Sequence, residues 1–498
     1  MYKNSYFREI NNHKAYPKLE ENINVDILII GAGISGLHAA YELLPYSNDI
    51  VIVDQNHIYQ NTTSSTTAKI TYQHGYIYHD LIKKHGLENA RLYKDFNELG
   101  LRRIEEIIEK EEIDCDFKLV DSYLFALKHH ELANIENEEQ AYKNLSIEYE
   151  KTNIHSNISK YQALKVKYQA RFNVERYLNK LASILEEKGV RIYENTKIVE
   201  VNYKTKAFAK SVDNFTILAN NIIICSHYPF YKNFNFYFIK MIPQMAYATI
   251  GKSDLEIEDA NYINTDENNT YAIRYIEIED KKHLLISGLT HDVNKFKDAF
   301  EIVNKLKAFG KEKLRITEYL YTWTGQDYAS TDIMPYIGKI KTDIYVATAY
   351  YEWGMAASSA AAILLKDLIV RGKSRFSELF NPRRVKLTSK LLTYNAKMLP
   401  TLIKTRIFPQ AKKWTLSANT GKVLKYKRMH LGMYKDEDGK VYFVKAICPH
   451  MKCGLRFNPI DKTYDCKCHG SRFKYTGKKI DGPAKYDLEQ IDQSMLID

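Results

Sequence analysis

The stretch ICPHMKCGLRF, starting at Ile447, and the stretch YDCKCHGSRF, starting at Tyr464, hold four of the chain's six cysteines and two of its histidines. Cys448 and His450 form a C-x-H pair, fifteen residues intervene, and Cys466 and His469 form a C-x-x-H pair. Thiolate and imidazole are both metal ligands, and each stretch offers one of each. A tetrahedral zinc ion is one occupant that such a set can hold. A second chemistry is written near the N-terminus, in VDILIIGAGISGLHAAYELLPYSNDIVIVDQ. Gly31 permits a tight turn, Gly33 a close approach of backbone to a pyrophosphate, and Gly36 the packing of a helix on a strand. Asp54 ends the following apolar run eighteen residues beyond Gly36, where a carboxylate can accept hydrogen bonds from ribose hydroxyls.

These residues need elements to position them. The N-terminal motif reads as strand, glycine turn, helix and second strand, with the helix N-terminus facing the anion. No second G-x-G-x-x-G follows Asp54, so a single dinucleotide, FAD held alone, is expected. LENARLYKDFNELGLRRIEEIIEK has apolar residues at helical spacing. FNVERYLNKLASILEEKGVRIYENTKIVEV predicts a long helix, a glycine stop and a strand, and NFTILANNIIICSHYP a further strand pair. Helices alternating with strands predict an α/β flavin domain with an inserted sheet.

A chain of 498 residues with 45% hydrophobic content is globular and long enough for two or three domains. The N-terminus shows neither the apolar run of a secretion signal nor a twin-arginine pair, so a cytoplasmic location is expected. The most apolar long window, from Val346 to Leu365, contains Glu352, Trp353 and Gly354, which suits a loop entering a buried helix rather than a bilayer span. Charge is uneven. From Asn381 to His430 there are thirteen Lys or Arg and no Asp or Glu, so against a whole-chain charge of +11 the remainder carries 11 − 13 = −2. Such a run can dock on acidic parts of its own chain as a linker, meet an acidic partner, or make peripheral contact with a membrane surface. It comes with no nucleic-acid reading module.

Residues 20 to 375 resemble the FAD-dependent amine and amino acid oxidases of the D-amino-acid-oxidase type. The resemblance rests on GAGISGL with Asp54, on EEKGVRIYENTKIVEV, on YTWTGQDYASTDIMPYIG and on YVATAYYEWGMAASSAAAILLKDLI. It implies that the strand at Ile198 passes the adenine, that Thr66, Thr67 and Ala68 run beside the pyrophosphate and flavin, and that Trp353, Gly354 and Met355 bring amide donors to the flavin ring. Ala349 stands where the family usually has glycine, which implies a differently shaped turn. No covalent flavin attachment position is matched.

The C-terminal pairs resemble the Rieske iron-sulfur domain, in which the cysteines hold one iron and the histidines the other. CHGS and Gly482-Pro483-Ala484 carry the resemblance further and favour a [2Fe-2S] cluster over zinc. It implies a disulfide between Cys453 and Cys468, a hydroxyl donor to a bridging sulfur at Ser471, and one hydrogen bond fewer at Phe473, where high-potential members have tyrosine. It also implies a histidine edge facing solvent. Together the resemblances divide the chain into an FAD domain, 1–380, a basic linker, 381–410, and a small all-β Rieske domain, 411–498. Within the first, FAD-binding parts are expected at about 20–80, 170–230 and 325–375, and a substrate-side sheet at about 235–320.

The oxidase resemblance implies that Arg274 lies over the flavin, where it could clamp a carboxylate, with a salt bridge or a solvated strand charge as the other reading; His291 and His74 are candidates to face the flavin, with a structural role as theirs. The principal reading is an amine or amino acid oxidised at a C–N bond, with electrons released singly through the cluster to an external acceptor. Reversed flow from an external donor, and a redox-sensing interaction protein, are the other two readings.

Overall fold

The computed structural model describes residues 5–9, 14–60, 62–229, 236–266, 268–295, 297–410 and 415–496. The run INVDILII forms the strand Ile23–Ile30, flanked by parallel strands Thr216–Ile224 and Ile50–Val53. A strand covered on both faces needs a nearly continuous apolar run, and this one has it. Ile27 and Ile29 enter the core shared with helices Ile34–Leu43 and Gly354–Arg371, while Leu28 and Ile30 enter a second core under the hairpin strands Ile198–Tyr203 and Ala207–Ser211. The main path of the sheet runs Tyr336–Lys341, Ile344–Thr348, Thr216–Ile224, Ile23–Ile30, Ile50–Val53, Arg191–Tyr193.

The helix Leu87–Lys110 forms where its periodicity requires, burying Tyr93, Phe96, Gly100, Ile104 and Ile107. The helix Val174–Glu187 is capped by Asn173, which accepts from the amides of Glu175 and Arg176, and Gly189 follows it with φ +88°. NFTILANNIIICSHYP differs from expectation: it forms one strand, Thr216–Ile224, whose antiparallel partner is the preceding Ala207–Ser211. Asn220 stays within that strand and donates to Asp26 Oδ1 at 2.8 Å.

A second, mostly antiparallel sheet is built on the long strands Met241–Ser253, Lys281–Asp292 and Ile316–Ser330, backed by helix Ala299–Leu314. It is broader than the segment 235–320, because Lys69–Ile70, Lys118–Phe125, Glu150–Asn153 and Gln162–Arg171 join it from earlier in the chain. The C-terminal part holds two small antiparallel sheets, one of Thr420–Tyr426, Met429–Lys435 and Val441–Lys445, the other of Leu455–Asn458, Thr463–Cys466, Arg472–Lys474 and Lys479–Asp481. Between the large and small parts lie the short helices Ser389–Ala396 and Met398–Thr405; Lys412 and Lys413 of the basic run fall outside the described residues. The window from Val346 is a strand end, a turn and the buried start of helix Gly354–Arg371. Among the described residues no helix is long and apolar enough to cross a membrane.

Candidate active site and metal centre

Two helix N-termini open on one cavity. Helix Ile34–Leu43 begins after Gly33 and helix Gly354–Arg371 after Trp353, and neither has a side-chain cap. Their free amides and dipoles suit an anion and a ring that gains electron density. Ser35 ties the two together, 2.8 Å from Ser358 Oγ and 3.0 Å from the Tyr350 hydroxyl. Gly31, Gly33, Asp54, Thr66, Thr67, Ile198, Trp353, Gly354 and Met355 all line the cavity. Asp54 accepts from the amides of Ala32, at 2.8 Å, and Asn56, at 2.9 Å, so it also pins the glycine turn; burial pushes its carboxyl up to about 6. Gly36 lies behind the wall. A Cβ there would stand 1.8 Å from the Gly31 carbonyl oxygen, so helix and turn touch backbone to backbone. Gly36→Ala is therefore expected to force the two apart at a cost of about 1–3 kcal/mol and to weaken FAD retention roughly 10- to 100-fold, read from flavin absorbance after gel filtration.

Ala349 keeps a left-handed backbone, φ +63°, the conformation glycine adopts most easily, and Tyr351 and Glu352 follow with φ +54° and +70°. Three such residues in one turn cost roughly 1–2 kcal/mol each and mark a backbone held in place for function.

Ala68, Arg274, His291 and His74 are off the cavity wall. Ala68 has φ +52° in the loop that precedes strand Lys69–Ile70. Arg274 is fully buried, its Nε donating to the Thr67 carbonyl and its Nη1 to the Tyr275 carbonyl at 2.9 Å, so it fixes the loop that carries Thr66, Thr67 and Ala68 from behind. His74 has both nitrogens engaged: Nε2 donates to the Thr71 carbonyl at 2.7 Å and Nδ1 accepts from the Tyr93 hydroxyl at 2.8 Å. Its ring stacks on Trp353, centroids 4.3 Å apart and 8° from parallel, and burial lowers it to about 3. His291 stacks on Tyr247, which does line the cavity, and burial lowers it to about 4.

Residues that motif reading passed over supply the cavity's charge. Lys69 stands one position beyond the Thr66-Thr67-Ala68 run, 5.7 Å from the Trp353 ring centroid, and burial lowers it to about 8. Glu352, next to Trp353, lines the cavity as an exposed residue, and the cavity walls together with the nearby Asp327 carboxylate push its carboxyl up. His227, Gln326, Asp327, Lys479, Asp481 and Gly482 complete one side, and the last three come from the C-terminal domain.

In that domain the first cluster loop joins Val441–Lys445 to Leu455–Asn458, and the second joins Cys466 to Arg472–Lys474. Cys453 and Cys468 are disulfide-bonded, while Cys448 and Cys466 are free and buried. The Cys448 thiol is held down, first by a hydrogen bond with Cys466, against burial, and then by the amides of His450 and Met451 and the Ser471 hydroxyl. Ser471 Oγ in turn accepts from the Ala484 amide at 3.1 Å. The rings of His450 and His469 are 5.0 Å apart, and the buried Nδ1 of each has no hydrogen-bond partner. Two paired thiols and two orphaned imidazole nitrogens are what a Cys2His2 two-iron centre requires. Phe473 is fully buried beside them.

The histidine edge is only partly open. His469 is 6% exposed and its ring meets Phe238 edge-on, because the second loop is pressed against the larger domain; His450 is half-buried. Tyr328 donates to the His469 carbonyl at 3.1 Å, and Gln326 Nε2 to the Gly470 carbonyl at 2.7 Å. His227 is clamped between Asp327, at 2.9 Å, and Asp481, at 2.8 Å. The cavity wall and the cluster loop are therefore neighbours.

A dinucleotide cavity at a glycine turn, abutting a Cys2His2 loop pair, defines a flavoprotein oxidoreductase with an iron-sulfur domain. The chain belongs to the FAD dependent oxidoreductase family, whose model matches residues 26–368, and carries a Rieske [2Fe-2S] domain at 407–492. It binds FAD in the first and a [2Fe-2S] cluster in the second. It is similar to a Bacillus subtilis (strain 168) protein named as a Rieske 2Fe-2S iron-sulfur protein, YhfW, 32% identical over 98% of this chain and 97% of that one. It is also similar to the gamma-glutamylputrescine oxidoreductase of Escherichia coli (strain K12), 21% identical over 76% of this chain and 91% of that one. Among solved structures, glycine oxidase from Geobacillus kaustophilus shares the fold with a TM-score of 0.61 at 15% identity, covering 73% of this chain and all of that one.

Proposed function

We propose that this oxidoreductase removes electrons from an amine or amino acid at a C–N bond and delivers them one at a time, through the Rieske domain, to an external acceptor. The observation that carries this is the contact between the two sites: Gln326 and Asp327 line the cavity, and Gln326 and Tyr328 of the same strand bond the His469-Gly470 backbone. When bound, FAD supplies two-electron acceptance with one-electron release, and the cluster supplies one-electron carriage. The relatives named for glycine and for gamma-glutamylputrescine support a small amine or amino acid as substrate.

Cys448 and Cys466, with His450 and His469, would hold the two irons, and the Cys453–Cys468 bridge ties their loops together. The amides after Gly33 and Trp353 would meet the pyrophosphate and the ring. Lys69, a buried cation on the wall, is placed to meet an anionic group of the substrate, while Arg274 keeps its loop in position. Glu352, on the cavity wall beside Asp327, is placed to take or hold a proton at its carboxylate. His74 fixes the plane of Trp353 by stacking.

The test is an anaerobic screen of amines and amino acids. Loss of flavin absorbance should be followed by the spin signal of the reduced cluster. If no candidate bleaches the flavin while an external donor reduces the cluster first, the flow runs the other way and the proposal fails.

A further inference from the structure

The segment 385–407 turns an unusual set of side chains outward. Val385, Leu387, Leu392, Leu399, Ile403 and Ile407 are all exposed, from 58% at Ile403 to 79% at Leu387. They are six of the seventeen large apolar side chains exposed among the described residues, so the exposure is concentrated rather than scattered. Leu392 is exposed on helix Ser389–Ala396, and Leu399 and Ile403, four residues apart, share one outward stripe of helix Met398–Thr405. The opposite stripe is satisfied: Leu391, Tyr394, Thr401 and Thr405 are buried, and Met398 and Leu402 pack on the core around the cluster cysteines.

Beside the outward stripe stand Lys397, Lys404 and Arg406, flanked by Lys386, which donates to the Lys84 carbonyl at 2.6 Å, and Lys390, over the Tyr351 ring, and no acidic residue occurs from Asn381 to His430. The face runs on to the first cluster loop. Arg406 donates to the Lys452 carbonyl, and Met451, next to His450, is itself 48% exposed.

We propose that this face lies on an anionic lipid surface, with Leu392, Leu399, Ile403 and Ile407 entering the acyl boundary and the cations at the headgroups. A helix face of aliphatic residues flanked by lysines has the composition of an interfacial anchor. Protein interfaces are instead enriched in Tyr, Trp and Arg and depleted in Lys. Here the one aromatic of the two helices, Tyr394, points inward. A second copy of the same face would bring like charges together. The arrangement deepens the proposed outward electron flow by placing the His450 loop at the lipid side, but vesicle binding is read without turnover, so either reading can fail alone.

The full-length, FAD- and cluster-loaded protein is sedimented with vesicles of phosphatidylcholine, with or without phosphatidylglycerol. Binding at least about tenfold tighter to the anionic vesicles, and weakened by salt, is expected, as is its loss in Leu399→Glu/Ile403→Glu with both chromophores retained. Should that variant lose its chromophores, Lys397→Glu/Lys404→Glu replaces it with the same expectation. No binding to either vesicle, equal binding to both, or binding unchanged in the variants overturns the proposal. A concentration-dependent dimer that the variants abolish, without vesicle binding, assigns the face to a second copy and overturns it as well.

Discussion

Replacing His227 by leucine is expected to destabilise the protein by about 2–4 kcal/mol, because it removes the cation that bridges the half-buried carboxylates of Asp327 and Asp481 and leaves only Lys479 to offset Asp481. In the native protein burial opposes the charge on His227, but the two carboxylates overcome it and raise the imidazole to about 10 from 6.5. The folded value lies above the unfolded one, so this stabilisation is complete below pH 6.5 and is lost as pH rises through 10. Asp481 is held down to about 2 from 3.8, against burial, chiefly by His227; its contribution is present above 3.8 and is lost as pH falls through 2. Thermal melts across this range, with proteolysis to detect release of the C-terminal domain, should show the clamp strongest between about pH 4 and 6.5. His227→Leu/Asp481→Asn should recover part of the loss, since it removes one orphaned charge. A single variant that melted as the parent does at pH 6 would refute the clamp.

Replacing Cys466 by serine should give protein that keeps FAD but contains no iron. Bleaching of the flavin by substrate should survive, while reduction of a one-electron acceptor should fall at least about 100-fold, beyond the roughly 10–100-fold that loss of a supporting neighbour costs a metal site. Metal analysis and stopped-flow absorbance read the two effects separately. Retention of a full iron complement would show that the thiol is not a ligand. Cys453→Ser is expected to act differently: it opens a bridge with a sequence separation of 15, costing about 3 kcal/mol, so the cluster should be bound but lost at lower denaturant.

Much of both sites was legible because their chemistry is local in sequence. Gly31, Gly33 and Asp54 lie in one β–α–β unit, and Cys448, His450, Cys466 and His469 in two loops of one small domain, so spacing alone carries geometry. What escaped was whatever the fold assembles from distant segments. Lys69 reaches the cavity because its two-residue strand pairs with Gln162–Arg171. His227, Asp327 and Asp481 meet only when three separate segments converge, and no spacing within any one of those segments announces the meeting. The histidines proposed to face the flavin illustrate the converse: His74 lies near the ring site but spends both nitrogens on Thr71 and Tyr93. The solvent-facing histidine edge is an inference from an isolated domain, and the docking of His469 against Phe238 and Tyr328 leaves only the His450 side partly open.

Lys479, Asp481 and Gly482 finish the cavity at the glycine turn, yet they belong to the last strand among the described residues and the turn after it. A ribosome adding about 5–20 residues per second needs on the order of 10 s to pass from the end of helix Gly354–Arg371 to that strand. During that interval the nascent pocket lacks a side, so the nucleotide can enter laterally before the tail shuts it in. Uptake of FAD is therefore expected to be faster before the tail has folded than after, which flavin addition to nascent and to completed apoprotein would check.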